Sequence, residues 1–223
     1  FLGIARAAVQ PGNVRHEFYT RHLEFNMDYV ECRWLAEDLL DEELVERAIQ
    51  AGLLWDVQTY LGLACDRLFR QGRFDAARHQ LDRLAELRDS YGYEFAAGNH
   101  EGESAMFLLE TRDLDAGVTQ AEQYLRARHE KALRLLALGV LTNLHVHRGE
   151  LDAAEATLAE ATSLRRQLLF VTPWHESTYT LARLQWDVAQ LWRCRDERRA
   201  PSAELLRRAT RSRRAAVGNA ARV

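Results

Sequence analysis

The sequence predicts an all-α fold built from about five antiparallel helix pairs, and three observations carry that prediction. The first is a hexamer that recurs along the chain. Residues 72–77 read GRFDAA, residues 112–117 read RDLDAG and residues 149–154 read GELDAA, at offsets of 40 and 37 residues. A near-fixed period in this range marks a repeat architecture. The second is the apolar spacing on either side. Leu61, Ala64, Cys65, Leu68 and Phe69 precede the first hexamer, and Ala77, Leu81, Leu84 and Leu87 follow it. Leu138, Leu141, Thr142, Leu144 and His145 precede the last, and Ala154, Leu158, Ala161 and Leu164 follow it. Steps of three and four place each set on one helix face, so each hexamer reads as the turn of a helix hairpin. The third is composition: 47% of residues are hydrophobic, the chain as a whole is dominated by the helix formers Ala, Leu, Arg and Glu, and there are 12 Gly and only 3 Pro, which favours helices and argues against a linker or a disordered chain.

In chain order, the pattern predicts helices at 13–36, 41–52, 55–71, 74–90, 93–111, 115–128, 131–148, 151–168, 174–195 and 202–217. Breaks are expected at Pro11–Gly12, Gly52, Gly92, Gly98, Pro173 and Pro201. DLLDEEL at 38–44 reads as a degenerate turn of the same kind. YEFAAG at 93–98 and LLFVTP at 168–173 are too short and isolated to be strands.

Within the hexamer each letter has a separate role. Gly72 and Gly149 can adopt the left-handed conformation that ends a helix. Phe74, Leu114 and Leu151 supply an apolar corner. Asp75, Asp115 and Asp152 are expected as N-caps, with Glu155 completing a capping box after Asp152. Ala77, Gly117 and Ala154 are small where two helices approach. Arg112 stands where glycine is expected, so either Asp113 takes the left-handed position or that loop differs by a residue.

This combination resembles the tetratricopeptide repeat over residues 58–168. The period exceeds the family's usual ~34 residues, and its first-helix Trp and terminal Pro are missing. The long variant is similar to the C-terminal repeat region of bacterial multidomain signalling ATPases and adenylate cyclases. The stretches at 172–192 and 202–221 fit that impression. The resemblance implies a right-handed superhelix, a single repeat domain over 1–223 (clear repeats at 58–168, a degenerate pair at 13–52 and a last pair at 174–217), and a noncatalytic scaffold for protein–protein interaction in signal transduction. It also implies that the concave face, lined by the first helix of each pair, takes a peptide or a protein domain, including other domains of the same polypeptide. Mapped onto this sequence, that groove comprises Asp66, Phe69 and Arg70, then Met106, Leu109 and Glu110, then Asn143, Val146 and His147. It lacks the Lys/Asn set with which some family members clamp a C-terminal carboxylate.

Composition also excludes function classes. The net charge is −3, and Arg supplies 29 of the 30 basic residues, Lys131 being the exception. This Arg bias reads as that of a GC-rich, bacterial genome. No global charge points to nucleic acid or a membrane, and no apolar run reaches the ~18 residues of a spanning helix. Cys32, Cys65 and Cys194 are odd in number and widely spaced, so neither a disulfide framework nor a zinc site is expected. No phosphate-binding glycine loop, HExxH or nucleophile elbow is present. His145 and His147 are two apart, on different helix faces, and His16 and His22 are six apart. No catalytic residue, cofactor or metal ligand is therefore assigned. A helical enzyme would have His100–Glu101 and His175–Glu176 as its best material, though both pairs start helices, where polar residues are expected anyway. RRATRSRR at 207–214 could meet an anion or nucleic acid, but no aromatic residues interleave it, and a solvated helix face is expected. Trp174, Tyr179, Trp186 and Trp192 are expected as helix–helix packing rather than a ligand site. With Phe1 in place of Met and no visible signal peptide, the chain is expected to be a cytoplasmic piece of a longer protein.

Overall fold

The structure is a computed structural model that describes residues 3, 9, 10, 12–30, 40–91, 94–127 and 130–221. It is all-α. Among the described residues there are ten helices and no strand: α1 Val14–Val30, α2 Glu42–Gln50, α3 Leu54–Arg70, α4 Phe74–Tyr91, α5 Glu94–Thr111, α6 Leu114–Arg126, α7 Lys131–Arg148, α8 Leu151–Gln167, α9 Pro173–Asp196 and α10 Ala203–Ala220. The chain divides into two compact units, Phe1–Phe107 and Leu108–Val223. The expected extension of the first helix to residue 36 and most of the degenerate turn fall outside the described residues.

In the first unit, α1 packs on α2 and α3, α2 on α3, and α3 on α4. Asp41 has extended backbone and its Oδ1 accepts the Leu44 N–H at 3.0 Å, capping α2. The stripe Leu44, Val45 and Ala48 then turns inward. Tyr60, only 1% exposed, is the centre of the unit. Phe18, Phe25 and His22 meet its ring edge-on at centroid distances of 5.5, 5.0 and 5.7 Å. Buried Arg67 lies over the Phe25 ring at 5.2 Å. Leu61, Ala64 and Leu68 of α3 face Ala77, Leu81 and Leu84 of α4, all buried. Across this hairpin the Cys65 thiol reaches the Ala77 carbonyl at 3.6 Å.

In the second unit, α7 packs against α6, α8 and α9, and α9 against α10. Leu135, Leu138, Leu158, Ala161, Leu164, Tyr179 and Trp186 form one buried cluster. Gly139 sits where α7 crosses α9: a Cβ there would lie 2.5 Å from the backbone C of Thr178 and N of Tyr179. Beside it the Thr178 hydroxyl donates to the Leu136 carbonyl at 2.8 Å. Thr172 caps α9 and Pro173 occupies its first turn, where a missing N–H costs nothing. Ser202 caps α10 by accepting the Leu205 N–H at 3.1 Å.

The hexamers are helix turns, but two letters act differently from expectation. Gly72 and Gly149 are left-handed at φ +74° and +77°. The following N–H groups of Arg73 and Glu150 reach back to Leu68 O and His145 O, both at 2.9 Å, a Schellman closure. Gly52 sits in the same turn, with Leu53 N–H bonding Ala48 O at 3.0 Å. The aspartates are not N-caps. The helices begin at Phe74, Leu114 and Leu151, and Asp113 and Glu150 occupy the cap positions of α6 and α8 without a side-chain cap bond. Asp75, Asp115 and Asp152 therefore lie inside the first turn, where a carboxylate favours the positive end of the helix dipole. The capping box is consequently not formed. Gly98 is no break either, because it lies inside α5.

The turn at 112 resolves in a third way: Arg112 itself is left-handed, at φ +67°, and Asp113 stays at φ −83°. An L-residue there carries a steric cost of roughly 1 kcal/mol that glycine avoids. Arg112→Gly is expected to raise stability by about 0.5–1 kcal/mol, the residual limit being set by glycine's greater freedom when unfolded. A urea melt showing no gain would mean that other contacts of the Arg112 side chain offset the strain.

Candidate functional site

The residues mapped to a groove are placed unequally. Asp66, Phe69, Met106 and Asn143 are buried, at 1, 4, 8 and 1% exposure. Side chains so enclosed present little surface to solvent. For α3 and α7 the cause is geometric: the faces carrying Asp66, Phe69 and Asn143 are packed within their own units. Arg70, Glu110 and His147 do reach the surface, and Leu109 and Val146 are half-buried. Arg70 belongs to the first unit, Glu110 and His147 to the second. Burial and the nearby Arg112 charge both hold the His147 imidazole below its ordinary pKa, burial contributing more.

One chemical constellation went unanticipated. Asp66 Oδ2 accepts from Arg70 Nε at 2.8 Å, one helical turn on. Gly62, one turn back, leaves room for Glu103, whose Oε1 lies 3.6 Å from where a Gly62 Cβ would stand. Glu103 Oε2 is buried without a hydrogen-bond partner among the described residues. Burial first, and the Asp66 charge second, push the Glu103 carboxyl well above its usual range, opposed only by Arg70. The same surroundings, burial foremost, push the Cys65 thiol up, so it is not a poised nucleophile. The signal available in sequence was Gly62 and Asp66 at i, i+4 on an otherwise apolar helix face, but nothing in sequence pairs them with Glu103.

A carboxyl whose folded pKa exceeds its unfolded one stabilises fully at low pH and loses that contribution as pH rises through the folded pKa. Glu103→Gln keeps the shape and removes the proton. The variant is expected to match the wild type near the ordinary glutamate value of 4.5 and to be increasingly more stable as pH rises above it. Paired thermal melts across pH check this, and a constant difference between the two proteins would refute it.

The second unit contains an open cleft of about 660 Å³ between α8, α9 and α10. Its charges are largely spoken for. Arg165 Nε bonds Glu176 at 2.6 Å, while Arg208 Nε at 2.5 Å and Ser212 Oγ at 2.6 Å both donate to Asp187. Arg183 lies over the Tyr179 ring at 5.6 Å and Arg208 over Trp186 at 4.4 Å. Tyr179 and Trp186 belong to the core, as expected of packing aromatics, and Trp192 is exposed.

The remaining candidates are local structure. His175 Nδ1 meets Thr172 Oγ1 at 2.6 Å within the cap of α9, and its neighbour Glu176 is held by Arg165. His100 lies 3.4 Å from Arg88 Nη1 and 3.5 Å from Ser104 Oγ. Each His thus has a hydroxyl neighbour within its own helix end or helix turn, Thr172 for His175 and Ser104 for His100. Of the five arginines at 207–214, Arg207 and Arg211 reach Glu204 and Arg208 reaches Asp187, while Arg213 and Arg214 are exposed. Among the described residues no group of three His, Cys, Asp or Glu side chains could hold a metal ion, and no helix is long and apolar enough to cross a membrane. Cys65 and Cys194 are buried free thiols, and Cys32 lies outside the described residues. Compared with known proteins, the chain matches no family model, no curated protein sequence and no solved structure.

Proposed function

We propose that this chain is a noncatalytic protein–protein interaction scaffold, a tetratricopeptide-like stack of about five helix pairs wound as a right-handed superhelix. In this reading it serves as the sensor or regulatory repeat region of a bacterial signal-transduction protein linked to an ATPase or nucleotide cyclase. The observation that supports it is the recurrence of one turn. At 72, 112 and 149 a left-handed residue, an apolar residue at the helix start and a first-turn aspartate join two helices. Ala77, Gly117 and Ala154 are buried two to three residues on, where the helices come together. Repeating one hairpin makes an extended surface from many small contributions, which suits binding of a peptide or domain. It does not converge reactive groups on one point.

Arg70, Glu110 and His147 are the groove positions that remain accessible for such a partner. Selecting peptides on the 223-residue chain and titrating the best binder against Arg70→Ala, Glu110→Ala and His147→Ala tests the reading. For a binder of the first unit Arg70→Ala, and for a binder of the second unit Glu110→Ala and His147→Ala, are each expected to weaken binding by about tenfold. Binders indifferent to all three substitutions would remove this surface from consideration.

A further inference from the structure

Two helices carry lines of large apolar side chains that face solvent. On α9, Leu181, Val188 and Trp192 are 43, 37 and 50% exposed. They stand seven and four residues apart, so they form one stripe along the helix. Leu184 and Leu191, half-buried, fill in its flank. On α1, Tyr19, Leu23 and Met27 are 42, 41 and 38% exposed and four residues apart. Isolated exposed hydrophobics are ordinary, whereas aligned ones mark a contact surface.

The two stripes lie in oppositely charged surroundings. Of the described residues, 12–30 and 40–50 carry seven Asp and Glu against three Arg, whereas 173–221 carry ten Arg against five Asp and Glu. On α1, Glu24 and Asp28 adjoin Leu23 and Met27, with exposed Arg15 at the near end of the stripe, and Glu43 is exposed on α2. Arg195 stacks on Trp192 with its Cζ 3.7 Å from the ring centroid and pairs with Asp196, while Arg193 beside it pairs with Glu197, so the excess positive charge of this end comes chiefly from α10. On α10, Arg213 and Arg214 add further exposed positive charge. Two copies meeting through identical faces would set like charges together. Meeting through unlike faces, they would pair basic with acidic surroundings across an apolar seam.

We propose that the α9 stripe of one copy docks on the α1 stripe of a second copy, head to tail, with the arginine-rich α9–α10 surroundings against the acidic α1–α2 segment. Such a contact is heterologous: each copy keeps one free α1 face and one free α9 face, so association continues past the dimer unless the geometry closes a ring. The inference is independent of which partner the groove residues bind.

Light scattering coupled to size exclusion, run on the 223-residue chain over a concentration series, tests it. The wild type is expected to grow beyond a dimer with concentration, and to do so less at high salt, where the opposite charges are screened. Leu23→Asp blocks only the α1 face and Val188→Asp only the α9 face. Each alone is expected to remain monomeric, with association weakened by roughly tenfold or more. Mixed together, the two variants each retain the face that the other lost, so they are expected to form a one-to-one complex and stop there. Met27→Asp and Trp192→Asp repeat the pairing at other points of each stripe, and circular dichroism selects variants that keep the wild-type fold. A wild type that stays monomeric at every concentration overturns the proposal. So does Leu23→Asp that still dimerises by itself, or a mixture that fails to pair.

Discussion

Gly139→Ala is expected to cost about 2–3 kcal/mol, a large loss for the addition of one methyl group. On helix propensity alone the change should gain up to about 1 kcal/mol. The opposing effect is contact with main chain: the new Cβ would stand 2.5 Å from Thr178 C and Tyr179 N. Neither atom belongs to a side chain that can swing away, so α7 and α9 must separate. Separation loosens the Thr178–Leu136 bond and the buried cluster around Leu138 and Tyr179. Gly117→Ala is the control. There the nearest atom is the tip of a leucine, Leu144 Cδ2 at 2.7 Å, which can rotate. Its cost is expected to stay below about 1 kcal/mol, with the propensity gain offsetting much of the crowding. Urea denaturation of the two variants decides the matter, and equal effects would show that α7 and α9 can move apart cheaply.

Tyr60→Ala is expected to be the most damaging single change in the first unit, at about 3–5 kcal/mol. The ring is 1% exposed and is met by Phe18, His22 and Phe25 from α1. Removing it leaves a cavity bounded by side chains from two helices, and forfeits the edge-to-face contacts as well. Arg67, itself buried over Phe25, would lose its enclosing wall. Hydrogen exchange localises the damage. Protection should fall first in α1–α4 for Tyr60→Ala and first in α7–α9 for Gly139→Ala. The same segments losing protection in both variants would contradict that division.

The hairpin pattern was legible because both of its signals are local. Apolar residues at steps of three and four, with a glycine between the runs, place α3–α4 and α7–α8 to within a few residues. The aspartates were misread for a specific reason. Sequence shows an acid near a helix start but does not show whether it stands at the cap or two positions later, and the φ values of Asp113 and Glu150 decide that. Arg112 was unreadable because nothing local in an arginine marks a left-handed residue, as a glycine would, and yet it stands at φ +67°. Which of the mapped groove residues are exposed was not legible. Repeat position assigns Asp66 and Arg70 to one helix face, but i, i+4 spacing does not tell which of the two meets a neighbouring helix. Glu103 was missed because it joins Asp66 across 37 residues of chain, a distance no local pattern spans.

The bond between Thr178 and Leu136 has a kinetic meaning. The turn at 149 closes between residues five apart, Glu150 and His145, whereas the α7–α9 seam closes between residues 42 apart. Loop-closure entropy makes the longer closure harder by about 2 kcal/mol. Closure of the α7–α8 hairpin is therefore expected to be the easier event, and docking of α9 the slower one. Gly139 widens the gate for that step, because a helix surface without a side chain accepts an arriving backbone in more orientations than one that must interlock. A residue that contributes no contact area thus governs how readily the last two helices are admitted to the core.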